Sequence, residues 1–167
     1  MNSKPRVFKY PEIGLDNAQA QLHDVLSPTY RQFTERGTRA NLLKVAEAAW
    51  AIHERLWHDN GRAPPLEQFR RDLFKACPEL RLMRDIAETG KHSGLDRRKD
   101  LELVRITGAE NPGGTLEISG SWILTGQPAR HTTKPTCTLM IETVDGRSYP
   151  VPETLKTVVD FWVTTLR

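Results

Sequence analysis

Cysteine is scarce in this chain. Cys77 and Cys137 are the only two in 167 residues, far apart and in no CxxC arrangement. Nothing in that suggests the disulfide framework of a small secreted scaffold, and it leaves open whether the two pair with each other. Long apolar runs are missing too: nothing approaches the ~18 consecutive apolar residues of a membrane span. The first ten residues, Met1 to Tyr10, lack the apolar core of a secretion signal, so the expected location is the cytoplasm, away from any membrane. Internal repeats and low-complexity tracts are absent. Aromatics make up only 7% of the chain, and Trp50, Trp57, Trp122 and Trp162 all fit apolar positions of their segments. None of them reads as an exposed platform for stacking bases.

The remaining composition, 38% hydrophobic and 27% charged, is that of an ordinary globular protein. Its length predicts one domain with a substantial core over 1–167. A net charge of +3 and a pI near 9.0 are compatible with a nucleic-acid partner without requiring one. The excess is local: from Arg81 to Lys99 there are six Lys or Arg against three Asp or Glu.

Periodicity divides the chain into four parts. Residues 1–14, with Pro5 and Pro11, read as an extended arm. Residues 15–100 read as a helical bundle. Asp16 is placed to cap a first helix, which Pro28 must kink or restart with Ser27 as the new cap, and Gly37 ends it. Thr38 caps a helix running to about Asn60, with Leu42, Val45, Ala46, Ala49, Trp50, Leu56 and Trp57 on one side at helical spacing. After the Asn60-Gly61 stop and the Ala63-Pro64-Pro65 turn, a short helix carries Leu66, Phe69, Leu73 and Phe74 to Cys77-Pro78. Another, opened by Glu79, turns Leu80, Met83, Ile86 and Ala87 inward and ends near Gly90. Over 101–151 the period changes to alternation, in Leu101 to Ile106, then Leu116 to Leu124 with Gly120 as a bulge or bend, then Cys137 to Ile141. Asp145-Gly146 is a hairpin turn into a short edge strand limited by Pro150. A last helix over 152–167 presents Leu155, Val158, Val159, Trp162 and Leu166. The expected fold is α+β: a bundle of four to five helices with a small antiparallel β-meander inserted before the C-terminal helix.

Two familiar motifs are approached and missed. His53-Glu54-Arg55-Leu56-Trp57-His58 looks like a zinc-protease helix, but metal-binding histidines on one face stand at i and i+4, where this chain has Trp57. Thr89-Gly90-Lys91-His92-Ser93 looks like the end of a phosphate loop. There, however, Gly-Lys must precede Ser or Thr directly, Asp85 stands where the first glycine belongs, and the segment ends a helix, whose dipole repels phosphate. Asn111-Pro112-Gly113-Gly114 is a turn between strands. No metal and no cofactor are expected.

The remaining candidates are two histidines and their neighbours. His53 lies at the centre of the apolar face in Ala48 to Trp57, where an imidazole is more often a packed core group, satisfied by one or two hydrogen bonds, than a ligand contact. His92 lies where a helix runs out into a basic loop. Arg84, Glu88 and His92 stand at i, i+4 and i+8, a polar stripe beside the apolar face. The plain reading is a solvated ion-pair ladder, with Lys91 and His92 complementing the helix C-terminus. The functional one makes Arg84 or Lys91 a phosphate binder and His92 a general acid or base. Arg97 and Arg98 follow in the loop as further binding candidates, flanked by Asp96 and Asp100.

A helical bundle with an Arg…His pair near the end of one helix, a polar residue on a neighbour and a basic loop beyond resembles the HEPN superfamily (higher eukaryote and prokaryote nucleotide-binding). The resemblance covers Thr38 to Lys99. His53…Trp57 and Lys91-His92 are also similar to uncharacterised bacterial proteins with a Lys-His helix end. The family's motif sets four to six residues between Arg and His, and here seven intervene. The resemblance implies RNA as partner, a homodimer as assembly, and metal-independent RNA cleavage in catalytic members, with His92 and Arg84 as catalytic residues and Lys91, His53, Arg97 and Arg98 in binding. The alternative is a non-enzymatic protein-interaction module of a bacterial or phage operon, using the meander or the N-terminal arm.

Overall fold

The computed structural model describes residues 17–91, 102–113, 116–121, 128–133 and 136–167, so the N-terminal arm and the cap expected at Asp16 lie outside the described residues. Asn17 is the first cap: its side-chain oxygen accepts the Ala20 N–H at 2.7 Å. One continuous helical path follows, as α1 (Ala18–Ala20), a π-helical stretch (Gln21–Leu26) and α2 (Ser27–Glu35). Pro28 was expected to kink or restart this helix with Ser27 as cap. Instead Ser27 is itself helical, with its hydroxyl donating back to the Leu22 carbonyl. The wider π turn shifts the preceding carbonyls out of α-helical register, and that accommodates a ring that would otherwise strike the carbonyl four residues back.

Thr38 caps α3 (Arg39–Asp59) as its sequence predicts, accepting the Asn41 N–H at 3.2 Å. Along α3, Leu42, Val45, Ala46, Ala49 and Ile52 are buried. The small alanines let neighbouring helices approach closely, and Gln21 reaches the Ala48 carbonyl. Trp50 and Trp57, expected in the core, are only half-buried. The Trp57 indole stays at the margin because its N–H donates to the Pro64 carbonyl at 2.7 Å. Then come α4 (Leu66–Ala76) and α5 (Leu80–Lys91), the latter packed extensively on α3 through Leu80, Met83 and Ile86.

As expected, an antiparallel sheet precedes the C-terminal helix. Its strands β1 (Leu103–Thr107), β4 (Met140–Thr143) and β5 (Ser148–Pro150) lie in the order β1-β4-β5. Between the first two the chain forms a separate ribbon of β2 (Leu116–Ser121) and β3 (Pro128–Thr133). At Gly120, expected as a bulge or bend, the chain pairs in register with Ala129, so no bulge forms there; the register shift falls in β1 between Leu103 and Arg105. Gly146, at φ +81°, makes the predicted hairpin turn. Val151 leaves β5 directly into α6 (Val151–Thr165). Leu155, Val158 and Trp162 are fully buried there, and Val159 packs at the margin. Helices and sheet share one core, in which Leu139 and Ile141 meet residues of α3, α5 and α6.

One carboxylate fastens the sheet to the bundle. Asp85 of α5, wholly buried, accepts the backbone N–H groups of Glu102 and Leu103 on Oδ2, at 2.7 and 3.2 Å. Its Oδ1 accepts Nε and Nη2 of Arg84, both at 2.9 Å. The start of β1 is thereby tied beside α5, which brings Glu102 to the edge of the site.

Candidate functional site: an arginine groove over a buried histidine

The helical spacing of α4 and α5 generates the site. Glu67, Arg70, Arg71 and Phe74 recur at three- and four-residue intervals on α4, and Arg81 and Arg84 at a three-residue interval on α5. With Glu102 these residues line an open groove of about 650 Å³. Four guanidinium groups thus meet along one groove, beside the carboxylates of Glu67 and Glu102.

Each arginine is held differently. Arg70 has Glu67 at 3.1 Å and Glu54 at 3.6 Å. Arg71 donates to the Gln68 side-chain oxygen at 3.0 Å. Arg81 pairs with Glu102 at 2.9 Å. Arg84 is only 8% exposed and is bound to Asp85. Phe74 sits beneath this cationic layer, with the Arg81 and Arg84 guanidiniums each 5.3 Å from its ring centre, while Trp50 stacks near-parallel to it at 5.7 Å. The aromatic body supports cations and is not left open to a base.

Behind Arg70 lies His53, 1% exposed. Its Nδ1 is bonded to the Trp50 carbonyl, so this nitrogen carries the proton, and Nε2 is left to accept Arg70 Nε at 3.1 Å. The ring stacks on Trp50 at 3.7 Å between centroids. Burial, reinforced by the Arg70 charge, pushes its pKa down to about 4, against the opposing pull of the Trp50 carbonyl and Glu54. His53 is thus a neutral imidazole at ordinary pH with both nitrogens engaged. It does not line the groove; it touches a residue that does.

Of the residues singled out from sequence, Arg84 lines the groove and His53 stands behind it. Lys91 is the last residue of α5, and its side chain lies outside what is described. His92, Arg97 and Arg98 lie outside the described residues altogether, and so does the question of whether His53 and His92 share a pocket. Arg70, Arg71, Arg81 and Glu102 were not anticipated. For the arginines the available signal is their recurrence at helical spacing on two successive short helices, both of which also carry strong apolar faces.

Among the described residues no group of three or more His, Cys, Asp or Glu is placed to hold a metal ion. His58 instead accepts Arg62 Nε at 3.1 Å. Both cysteines are free, Cys77 buried and Cys137 half-buried against the Gly37 carbonyl. Burial and the neighbouring Glu79 carboxylate push the Cys77 thiol up to about 12, the opposite of an activated nucleophile. Among the described residues no helix is long and apolar enough to cross a membrane. No family model, curated protein or solved structure matches this chain.

Proposed function

We propose that this protein binds RNA through the groove between α4 and α5, engaging backbone phosphates rather than bases. The observation that carries the reading is the convergence of Arg70, Arg71, Arg81 and Arg84 on one open groove, with Arg70 paired to Glu54 and Glu67, Arg81 to Glu102, Arg84 to the buried Asp85, and Arg71 held by the Gln68 amide oxygen. A guanidinium presents its donors in a planar fork that matches two phosphate oxygens, and it keeps its charge at every relevant pH. Phosphate recognition also fits the chemistry of the lining: Phe74 is 9% exposed and covered by guanidiniums, which leaves no aromatic face for a base. The HEPN resemblance points to the same partner.

The test is equilibrium binding of a labelled single-stranded RNA across a range of salt, to the wild-type chain and to R71A and R81A. Arg71 and Arg81 are the two to remove because they are exposed and leave the core intact. The logarithm of the binding constant should fall linearly with the logarithm of salt, with a slope of about −0.7 for each phosphate engaged. Each variant should weaken binding by about three- to tenfold and flatten that slope. Affinity that ignores salt, or that survives R71A and R81A combined, refutes the proposal in favour of a protein-interaction module.

A further inference from the structure

We propose that His53 is a positioning residue for RNA binding: its Nε2 holds Arg70 Nε and so presents the terminal Nη1/Nη2 edge of that guanidinium to a backbone phosphate. The inference rests on the RNA-binding reading of the groove and names the group that orders one of its contacts.

An arginine at the edge of a groove is a long, flexible side chain, and most of what it gains on meeting a phosphate is offset by the freedom it loses. Arg70 has been relieved of that freedom in advance. Its Nε–H is directed to His53 at 3.1 Å, and its guanidinium lies 5.8 Å from the Trp50 ring centre, which leaves the Nη1/Nη2 edge for other partners. That edge meets Glu67 and Glu54, whose side chains are 79% and 61% exposed. Carboxylates so exposed hold a guanidinium weakly and can be exchanged for a phosphate. The His53 bond is of another kind. The ring is buried, its plane is fixed by stacking on Trp50, and its tautomer is fixed by the Trp50 carbonyl, so that a lone pair points at Arg70 and nowhere else. An imidazole serving the core alone would close its second hydrogen bond within the core. This one closes it on a side chain that lines the groove.

The experiment measures the affinity of the full chain for a twelve-nucleotide oligouridylate by fluorescence anisotropy at fixed salt, with urea denaturation confirming that each variant is folded. R70A should weaken binding about tenfold, and H53F should reproduce most of that loss although it leaves every groove residue in place. H53Q should bind within about twofold of wild type, because the glutamine carbonyl can accept Arg70 Nε where the imidazole did. The double variant H53F/R70A should bind no more weakly than R70A alone, since two residues acting through one contact are not additive. Should H53F fail to fold, R70K carries the test: it keeps the charge but has neither fork nor Nε–H, and it should bind more weakly than wild type and more tightly than R70A. Wild-type affinity in folded H53F or in R70K overturns the inference, as does an H53F loss that adds in full to that of R70A. If R71A and R81A weaken binding while R70A does not, the RNA reading stands and this inference falls. If the wild-type chain binds no RNA, both fall.

Discussion

Removing the Asp85 carboxylate should unfasten the sheet from the bundle. Asp85 is 0% exposed and accepts two donors from Arg84 and two backbone N–H groups from the start of β1. In D85A the nine-tenths-buried Arg84 guanidinium loses this carboxylate and the amides of Glu102 and Leu103 lose their acceptor. Breaking a buried pair from one side costs about 3–5 kcal/mol. In a chain of this size 1 kcal/mol moves Tm by roughly 2–4 °C, so D85A should melt roughly 6–20 °C below wild type. Urea denaturation followed by tryptophan fluorescence gives the same quantity as a midpoint shift at constant slope. D85N keeps one oxygen and can serve either the backbone amides or Arg84, so its loss should be about 1–3 kcal/mol. The discriminating variant is R84M/D85L. Replacing both partners of a buried ion pair by apolar residues is often neutral. Here it should stay below wild type, because the amides of Glu102 and Leu103 remain without their acceptor. Full recovery in R84M/D85L would mean that the pair alone mattered. A D85A midpoint within about 1 kcal/mol of wild type would refute the clasp outright.

Two further outcomes concern stability. W162A should cost about 3–5 kcal/mol by opening a cavity in the core that α6 helps to close, whereas W162F should cost about 1–2 kcal/mol, because the buried indole N–H has no hydrogen-bond partner among the described residues and so no bond is lost; equal losses in urea denaturation would contradict this. His53 titrates at about 4 when folded against an unfolded value of 6.5, so between those values the unfolded chain binds the extra proton. Its contribution is therefore complete above pH 6.5 and is lost as pH falls toward 4, by up to about 3 kcal/mol, and H53Q should flatten the stability-versus-pH curve in that window. Parallel curves for the two proteins would exclude this role.

The helices were legible because each carries its own signals. Thr38 at a cap, Asn60-Gly61 at a stop and Pro64-Pro65 before a start are local chemistry, and the α3 and α6 stripes repeat often enough to define a face. Elements whose partner decides their state were harder to read. Pro128 to Thr133 has no apolar alternation, so β3 is visible only as the mate of β2. Nor does any local pattern say that β1 pairs with β4 across a ribbon. The continuous helix through Pro28 failed to show for another reason: a π turn leaves no residue signature of its own.

The site was half legible for a physical reason that His53 makes concrete. Placed in an apolar stripe, it reads correctly as a core histidine, since burial and the Trp50 bond are set by its own helix, three residues apart in sequence. Its second partner is Arg70, on the next helix, and nothing in the spacing of either residue announces the other. The same holds for Asp85, whose Oδ2 serves the distant amides of Glu102 and Leu103. Core and site are therefore not competing descriptions of His53. Because the imidazole is buried and neutral, toward Arg70 it can act only as a fixed acceptor, and a fixed acceptor is what a flexible arginine needs in order to be pre-organised. In the proposed RNA binding, recognition belongs to the guanidiniums, and the histidine contributes by geometry. This is why exchanging it for glutamine, and not merely deleting it, separates the two roles.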